Sequence, residues 1–241
     1  MLTSTSMTNH KNHSSHLARS RETGFSLLEI LVALFLITMV FSLVSNVNFT
    51  DRQAIDDLTN NLERAIRYSV NETAIRNVII RLHFTISPGS GPQTYTVEYG
   101  PDGQFVLPAQ RESTSIVTTL AEEKAQQDET KRINKQFNRV RELFDETPKF
   151  PNNVHLIALG TKKNKEFYQG QEGAIYFYPN GEKDESIILF GTEKEVVGLS
   201  IPAFTLDVDK IVRPIPQDAT EELVEKQERV AKEIFEEWLK N

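Results

Sequence analysis

Cysteine is absent from the 241 residues of this chain. Disulfides, thiolate zinc sites, iron–sulfur clusters and a cysteine nucleophile are therefore excluded. The signatures of several enzyme classes are missing too, since the sequence contains no G-x-S-x-G, no H-E-x-x-H and no P-loop. We expect the protein not to be an enzyme, with no catalytic residues, no cofactor and no metal site.

Positive charge is also in short supply. The chain has 27 Lys and Arg against 34 Asp and Glu, which gives a formal net charge of -7. A protein that wraps nucleic acid needs basic surface to neutralise phosphates, so nucleic acid is not an expected partner. A mean hydropathy of -0.39 over 27.5 kDa is that of an ordinary globular chain and leaves room for one membrane span at most.

Long hydrophobic runs are limited to one, at residues 25–44, where Glu29 is the sole charged residue. About twenty apolar residues suffice for a helix to cross a membrane, whereas a secretory signal peptide has an apolar region of about 7 to 15. The basic residues Lys11, Arg19 and Arg21 precede the run, which predicts a cytoplasmic N-terminus. The pattern predicts a single-pass membrane protein in which the bulk of the chain faces outward.

Glu29 lies close to the start of this apolar run. An ionised carboxylate costs on the order of 3 kcal/mol at the centre of a membrane helix and usually has a partner there. Alternatively, the carboxyl group reaches the interface or stays neutral, as in an ordinary single-span protein. The glutamate by itself leaves both interpretations open.

The residues around Glu29 carry a resemblance to a known family. The segment GFSLLE at 24–29, between a basic leader and the apolar run, resembles the processing site of type IV pilins and type II secretion pseudopilins. The resemblance implies that prepilin peptidase cleaves after Gly24 on the cytoplasmic side and that Phe25 becomes an N-methylated terminus. It also implies that Glu29 pairs with the amino terminus of a neighbouring subunit. A buried carboxylate and a buried ammonium neutralise each other in such a pair.

No Gly or Pro occurs between Gly24 and Pro88, so we expect the apolar run to continue into one long soluble helix. Its small and apolar residues recur at spacings of three and four, which predicts a buried stripe. The members of this stripe are Ile55, Leu58, Leu62, Ala65, Ser69 and Thr73. At Val78 the hydrophobic period changes to two, so a strand begins there.

Further strands are predicted around turn signals. Residues 95–99 alternate in polarity, and 105–107 follow a PDG turn. Residues 174–178 and 186–190 flank Asn180-Gly181 as a β-hairpin would. Residues 195–208 provide one or two more strands, divided near Pro202.

These elements predict an α+β fold in which a long N-terminal helix packs on an antiparallel sheet. This is also the pilin-like architecture. The segments at 61–84 and 173–190 resemble the H-type minor pseudopilin of type II secretion and related minor pilins.

Two added segments are predicted to be helical. One is an insertion at 109–150, in which Ile133, Phe137, Val140 and Phe144 follow helical spacing. The other is a C-terminal amphipathic helix at 217–241. Asp218 and Glu221 have capping-box spacing at its start, and its stripe contains Leu223, Val230, Ile234 and Trp238. Each stripe is expected to dock on its own domain or on a partner.

The predicted domain organisation follows from these segments and from the resemblance, which implies a single-pass inner-membrane protein whose C-terminal domain is periplasmic. Residues 1–24 form a cytoplasmic leader that is removed, and 25–48 form the transmembrane helix that would become the filament core. Residues 49–216 form the periplasmic domain, which carries the insertion at 109–150, and 217–241 form the C-terminal helix.

Other candidate ligands are weaker. His10, His13 and His16 are spaced like a metal cluster but lie in the predicted leader. The carboxylates of Glu182, Asp184 and Glu185 suit calcium chemically, yet they lack a defined ligand pattern. His83 and His155 have no paired acid nearby in sequence, so we expect structural roles for them.

The expected function is that of a minor structural subunit of a type II secretion pseudopilus, assembled through the N-terminal helix and assisting protein export. The implied partners are prepilin peptidase, other pseudopilins or pilins, and the inner-membrane assembly platform. One alternative is a minor pilin that primes or modifies a type IV pilus. Another is a single-span periplasmic binding protein in which residues 24–29 match by accident.

Overall fold

The computed structural model divides into two units, Met1–Val47 and Asn48–Asn241. It describes residues 26–45, 49–86, 91–102, 124, 128, 131–217 and 221–241. In chain order the elements are α1 (Leu27–Ser45), α2 (Phe49–Arg76), β1 (Val78–Thr85), β2 (Thr94–Asp102), β3 (Asn138–Arg139), β4 (His155–Thr161), β5 (Glu166–Tyr168), β6 (Glu172–Phe177), β7 (Ser186–Gly191), β8 (Glu195–Ile201), β9 (Asp209–Pro214) and α3 (Leu223–Trp238).

The first unit contains α1. The side chains described along it, at residues 26–40, are all exposed, and Leu27 retains 82% of its accessible surface. Among the described residues, no helix combines the length and the apolar character needed to cross a membrane. The predicted long helix corresponds to α1 and α2, and residues 46–48 between them lie outside the described residues.

The second unit begins with α2, whose predicted stripe is confirmed. All six of its residues are buried: Ile55, Leu58, Leu62, Ala65, Ser69 and Thr73. The Ser69 hydroxyl donates a hydrogen bond of 2.7 Å to the carbonyl oxygen of Ala65, so a polar side chain is tolerated inside the core. The helix ends at Arg76 because Asn77 adopts a left-handed conformation with φ of 53°.

The strands form two antiparallel sheets, whereas the sequence predicted one. The first sheet has the order β3-β2-β1-β6 and the second has the order β5-β4-β7-β8-β9. The predicted strands at Val78 and at 95–99 are confirmed as β1 and β2, which pair with each other. The strand predicted at 105–107 lies outside the described residues.

The predicted hairpin around Asn180-Gly181 is only half right. The turn forms, with Gly181 at φ of 84°, and the Asp184 amide donates to the carbonyl oxygen of Tyr176 over 2.9 Å. Beyond this point the strands separate, because β6 pairs with β1 while β7 pairs with β4 and β8. The turn therefore connects the two sheets. Pairing of β7 on both sides leaves no edge free for β6.

One hydrophobic core joins α2 to both sheets. The side chains that meet there include Leu62 and Ile66 of α2, Leu82 and Phe84 of β1, Ile188 and Phe190 of β7, and Val197 and Leu199 of β8. Every residue of β7 is buried, which accounts for its unbroken apolar run. The opposite face of the second sheet needs a separate cover.

That cover is α3. Ile187, Leu189 and Val196 of the sheet form a second core with residues of the helix, namely Val230, Ala231, Ile234, Phe235 and Trp238. The predicted stripe is confirmed for its C-terminal members and docks within its own chain. Leu223 is exposed instead.

The predicted start of this helix is wrong. The helix begins at Leu223 with Glu222 as its N-cap, and the Glu222 side chain makes no capping hydrogen bond. Asp218 lies outside the described residues. Apolar packing further along the helix fixes its position instead.

The predicted helix through the insertion is wrong for its C-terminal part. A helical turn covers 131–134, and the chain then forms β3 and continues without helix to Phe150. Phe137 and Val140 are nevertheless buried, in different hydrophobic clusters. The spacing of four, three and four thus reflects burial on irregular backbone. Residues 103–123 lie outside the described residues.

Candidate functional site

The start of α1 is built by Ser26. Its carbonyl oxygen accepts hydrogen bonds from the amides of Glu29, at 2.9 Å, and Ile30, at 3.2 Å. Its hydroxyl oxygen accepts a further bond of 3.2 Å from the Glu29 amide. Ser26 therefore caps amide groups that a helix N-terminus otherwise leaves without partners.

Glu29 consequently lies in the first turn of α1. The partial positive charge of a helix N-terminus favours a carboxylate at this place. The Glu29 side chain is exposed, and within 26–45 and the other described ranges no cationic group pairs with it. Its charge is thus available to a group from outside the chain. Gly24 and Phe25, the predicted processing residues, lie outside the described residues.

Around Glu29 the helix presents apolar side chains on all sides. Leu28, Leu31 and Phe35 are each more than half exposed. The one hydroxyl in the middle of the helix is satisfied locally, since Thr38 donates a 2.8 Å hydrogen bond to the carbonyl oxygen of Phe35. A surface of this kind is not stable against water and requires a cover of lipid or protein.

The start of α2 is held by ionic contacts within the second unit. The Asp51 carboxylate accepts hydrogen bonds from Asn153 Nδ2, at 2.7 Å, and from Lys194 Nζ, at 3.2 Å. The bond from Asn153 and then the bond from Lys194 lower the pKa of Asp51. Lys210 makes a similar contact of 2.7 Å with Asp56 one turn later. These contacts connect the first turns of α2 to segments that border the second sheet.

A polar cluster that sequence reasoning missed lies on the first sheet. Arg81, which is 2% exposed, donates through Nε to Glu98 over 2.7 Å and through Nη1 to Asn134 over 2.7 Å. The guanidinium also lies 4.0 Å from the centroid of the Phe137 ring. Arg81 therefore attaches the end of the insertion to the sheet.

His83 belongs to the same cluster. Its Nδ1 lies 3.4 Å from Glu98 Oε1 and its Nε2 lies 3.6 Å from Glu172 Oε2. Glu98 and Glu172 come from the strands on either side of β1 and are distant from His83 in sequence. Sequence proximity therefore does not reveal them as its partners. Burial raises the pKa of Glu98, but the hydrogen bond from His83 and the charge of Arg81 outweigh burial, and the pKa is lowered.

The candidate calcium ligands point to separate partners. Asp184 accepts hydrogen bonds from the Tyr176 amide and the Tyr178 hydroxyl, and Glu185 pairs with Lys162 at 2.8 Å. Glu182 accepts a bond from Asn180. Among the described residues, no three His, Asp or Glu side chains are grouped to hold a metal ion. His10, His13 and His16 lie outside the described residues.

Comparison with known proteins identifies one feature. Residues 19–45 match the family model described as the prokaryotic N-terminal methylation motif. No curated protein matches, and no solved structure matches. The motif is the prepilin signal of type IV pilin-like proteins, so it supports the pilin and pseudopilin family, processing by prepilin peptidase, and assembly with other pilins. It also suggests a membrane-anchored N-terminus.

Proposed function

We propose that the chain is a minor structural subunit of a type II secretion pseudopilus, which assembles through α1 and assists protein export. The observation that carries the proposal is the methylation motif at 19–45. Glu29, within this range, lies in the first turn of an exposed apolar helix. A helix with this surface finds cover among the equivalent helices of other subunits. The Glu29 carboxylate then fixes the position of the subunit along the filament axis by pairing with the amino terminus of a neighbour.

Before assembly, we propose, the apolar run at 25–44 anchors the protein in the inner membrane with its N-terminus in the cytoplasm. The apolar run at 25–44 and the basic residues that precede it support this topology. The unit that begins at Asn48 is then periplasmic. The hydrocarbon covers α1 until neighbouring subunits replace it.

The role is structural and not catalytic in this proposal. Its support is that residues 19–45 match an N-terminal methylation motif, which is the prepilin signal of pilin-like subunits. The same motif also begins the subunits of type IV pili, so a minor pilin is the second candidate. The two candidates differ in their neighbours, not in the contact that α1 makes.

Crosslinking in membranes tests the proposal, and the absence of Cys makes the experiment clean. A single cysteine at Leu36→Cys, in the exposed helix, is labelled with a maleimide–benzophenone in cells that contain the complete assembly machinery. On irradiation the benzophenone bonds to C–H groups of whichever chain lies beside it, so the partner needs no cysteine. We expect crosslinks to other subunits, identified by mass spectrometry as secretion pseudopilins. Crosslinks to pilins alone would assign the chain to a type IV pilus.

Glu29→Ala, made in the Leu36→Cys chain, tests whether the Glu29 carboxylate pairs with a neighbouring subunit. The substitution removes the proposed charge partner and makes the helix more apolar, so insertion is retained while crosslinking falls. Thr38→Val is the matched control, because it removes a polar group from the same helix without changing charge. Equal crosslinking of the Glu29→Ala chain and its parent would contradict the pairing role, and crosslinking to no subunit would contradict assembly through α1.

A further inference from the structure

An open groove runs between α2 and the segment at 143–149, away from the contacts described above. Its volume is about 540 Å³. The walls contain Asn61 and Arg64 from α2, Tyr95 from β2, and Leu143, Phe144, Asp145, Glu146, Thr147, Pro148 and Lys149 from the irregular segment. The groove is large enough for one or two amino-acid side chains.

Arg64 is held in the groove with donor groups to spare. Its guanidinium lies 4.9 Å from the centroid of the Phe144 ring, and Nη2 donates to the carbonyl oxygen of Leu143 over 3.4 Å. The side chain is exposed, and a guanidinium has five N–H donors in a fixed plane. The stacking contact fixes this plane while most of the donors remain free to bind a ligand.

Tyr95 provides a second donor. Its ring is enclosed by Phe144 and Phe150, at centroid distances of 6.0 and 5.8 Å, and the residue is 2% exposed. Its hydroxyl makes no hydrogen bond to any residue in the described ranges and is not fully enclosed, so it reaches the open groove that the residue lines. A ligand in the groove can therefore accept a hydrogen bond from this hydroxyl in place of water.

The protonation state of Tyr95 suits this role. Burial raises the pKa of its hydroxyl to about 12, and the positive charge of Arg64 acts in the opposite direction. The hydroxyl therefore remains a donor at neutral pH. Arg64 and Tyr95 both line the groove, and both contact the Phe144 ring between them.

We propose that this groove binds a carboxylate group, with Arg64 as the cationic partner and the Tyr95 hydroxyl as a neutral donor. The remaining charged residues on the walls are Asp145, Glu146 and Lys149, so the groove as a whole carries no net charge. Selection consequently depends on short-range contacts. A carboxylate offers two oxygens in a plane that matches a guanidinium, whereas a doubly charged phosphate would be repelled more strongly by the two acids.

The carboxylate belongs either to an acidic side chain of another protein or to a small organic acid. The site does not depend on α1, so it stands apart from the proposed assembly function. The two sources share the same contacts, and they differ in whether a peptide backbone improves binding.

Titration of the full ¹⁵N-labelled chain in detergent micelles tests the site. The probes are N-acetyl-glutamate N-methylamide, the corresponding glutamine compound, and sodium acetate. We expect saturable shifts of the Arg64 and Phe144 amide signals with the glutamate probe and at least about tenfold weaker binding of the glutamine probe, since one charge-assisted hydrogen bond is lost. Acetate that binds as well as the glutamate probe indicates a small organic acid. Acetate that binds more weakly indicates a protein side chain.

Three variants separate binding from folding. Arg64→Gln and Tyr95→Phe should each weaken binding of the glutamate probe about tenfold, and Tyr95→Phe should leave the melting temperature nearly unchanged because the hydroxyl bonds to no described residue. Arg67→Gln, an exposed arginine of α2 outside the groove, is the control and should bind as the parent does. Equal binding of the glutamate and glutamine probes would overturn the proposal. So would equal losses in Arg64→Gln and Arg67→Gln, or the absence of saturable shifts.

Discussion

The indole Nε1 of Trp238 donates a 2.8 Å hydrogen bond to Ser200 Oγ, and both groups are buried. The last turn of α3 is thereby attached to β8. Next to this bond the Trp238 and Phe235 rings pack against each other with centroids 5.9 Å apart. At the other end of the helix Gln227 Nε2 donates to the carbonyl oxygen of Thr192 over 2.8 Å. The C-terminal helix is thus an integral cover of the second sheet.

Ser200→Ala should lower the free energy of unfolding by about 1 to 3 kcal/mol, because the indole N–H stays buried without an acceptor. Trp238 is the sole tryptophan, so its fluorescence during urea unfolding reports on α3 directly. Its emission should be blue-shifted in the folded chain. Val224→Ala, at an exposed position of the same helix, is the control and should change stability by less than about 0.5 kcal/mol. Equal stability of the two variants would show that the bond contributes nothing.

Gly160→Ala should loosen the same helix. A Cβ atom at this position would lie 2.6 Å from Phe235 Cδ2 and 2.6 Å from Ile187 Cγ2, and both side chains are packed in the second core. Overpacking of this kind costs about 1 to 3 kcal/mol. The loss of stability is measured by thermal unfolding of the Gly160→Ala chain and its parent.

The double variant Gly160→Ala/Phe235→Leu provides the internal control for this contact. The smaller leucine makes room for the added methyl, so the double variant should be destabilised by less than the sum of the two single variants. Strict additivity would mean that the added methyl group does not press against Phe235.

Asp51→Ala should destabilise the second unit at neutral pH and have little effect in acid. The pKa of Asp51 is lowered in the folded chain by Asn153 and Lys194, so its ionised form stabilises the fold above the ordinary aspartate pKa of about 3.9. This stabilisation is lost as the pH falls through the lower, folded value. Urea unfolding at a series of pH values should therefore show a difference between variant and parent that shrinks below about pH 4.

Asp57→Ala is the matched control for that series, since Asp57 is an exposed acid on the same helix. Its difference from the parent should be small at every pH. A difference for Asp51→Ala that stays constant from neutral pH to acid would show that the carboxylate charge is not what stabilises the start of α2.

Much of the fold was predictable because it depends on local patterns. The stripe of α2 follows from spacing alone, and the change of period at Val78 marks the start of β1. The choice of partner for each strand was not predictable. The turn at Asn180-Gly181 is typical of a hairpin, yet β6 joins β1 and β7 joins β4 and β8, because distant strands compete for the same edges.

The wrong prediction of a helix through the insertion has a different cause, namely burial of apolar side chains on irregular backbone. Phe137 and Val140 have helical spacing, but Phe137 packs near Arg81 and Val140 enters the core beside Tyr95, so tertiary contacts override the local pattern. The strand β9 was not predicted because it lacks a hydrophobic pattern. Most of its residues are exposed, which leaves little hydrophobic pattern to detect.

The candidate sites also differ in whether they depend on a local sequence pattern or on contacts between distant segments. The motif around Glu29 is contiguous and was visible in the sequence, and the match at 19–45 rests on it. The cluster of Arg81, His83 and Glu98 and the groove at Tyr95 arise only when strands and segments far apart in sequence meet. No spacing rule connects residues that a sheet brings together across most of the chain.

The central claim is that the chain is processed and assembled as a pilin-like subunit, and the intact mass of the protein from cells with active prepilin peptidase tests it most directly. The account predicts a single species that begins at Phe25 and carries one added methyl group on its amino terminus. Replacing Gly24 by a bulky residue should block the cleavage and leave the leader attached, whereas Ser45→Ala, at the end of α1, should be processed normally. A mature protein that retains residues 1–24 in cells with active peptidase would contradict the account.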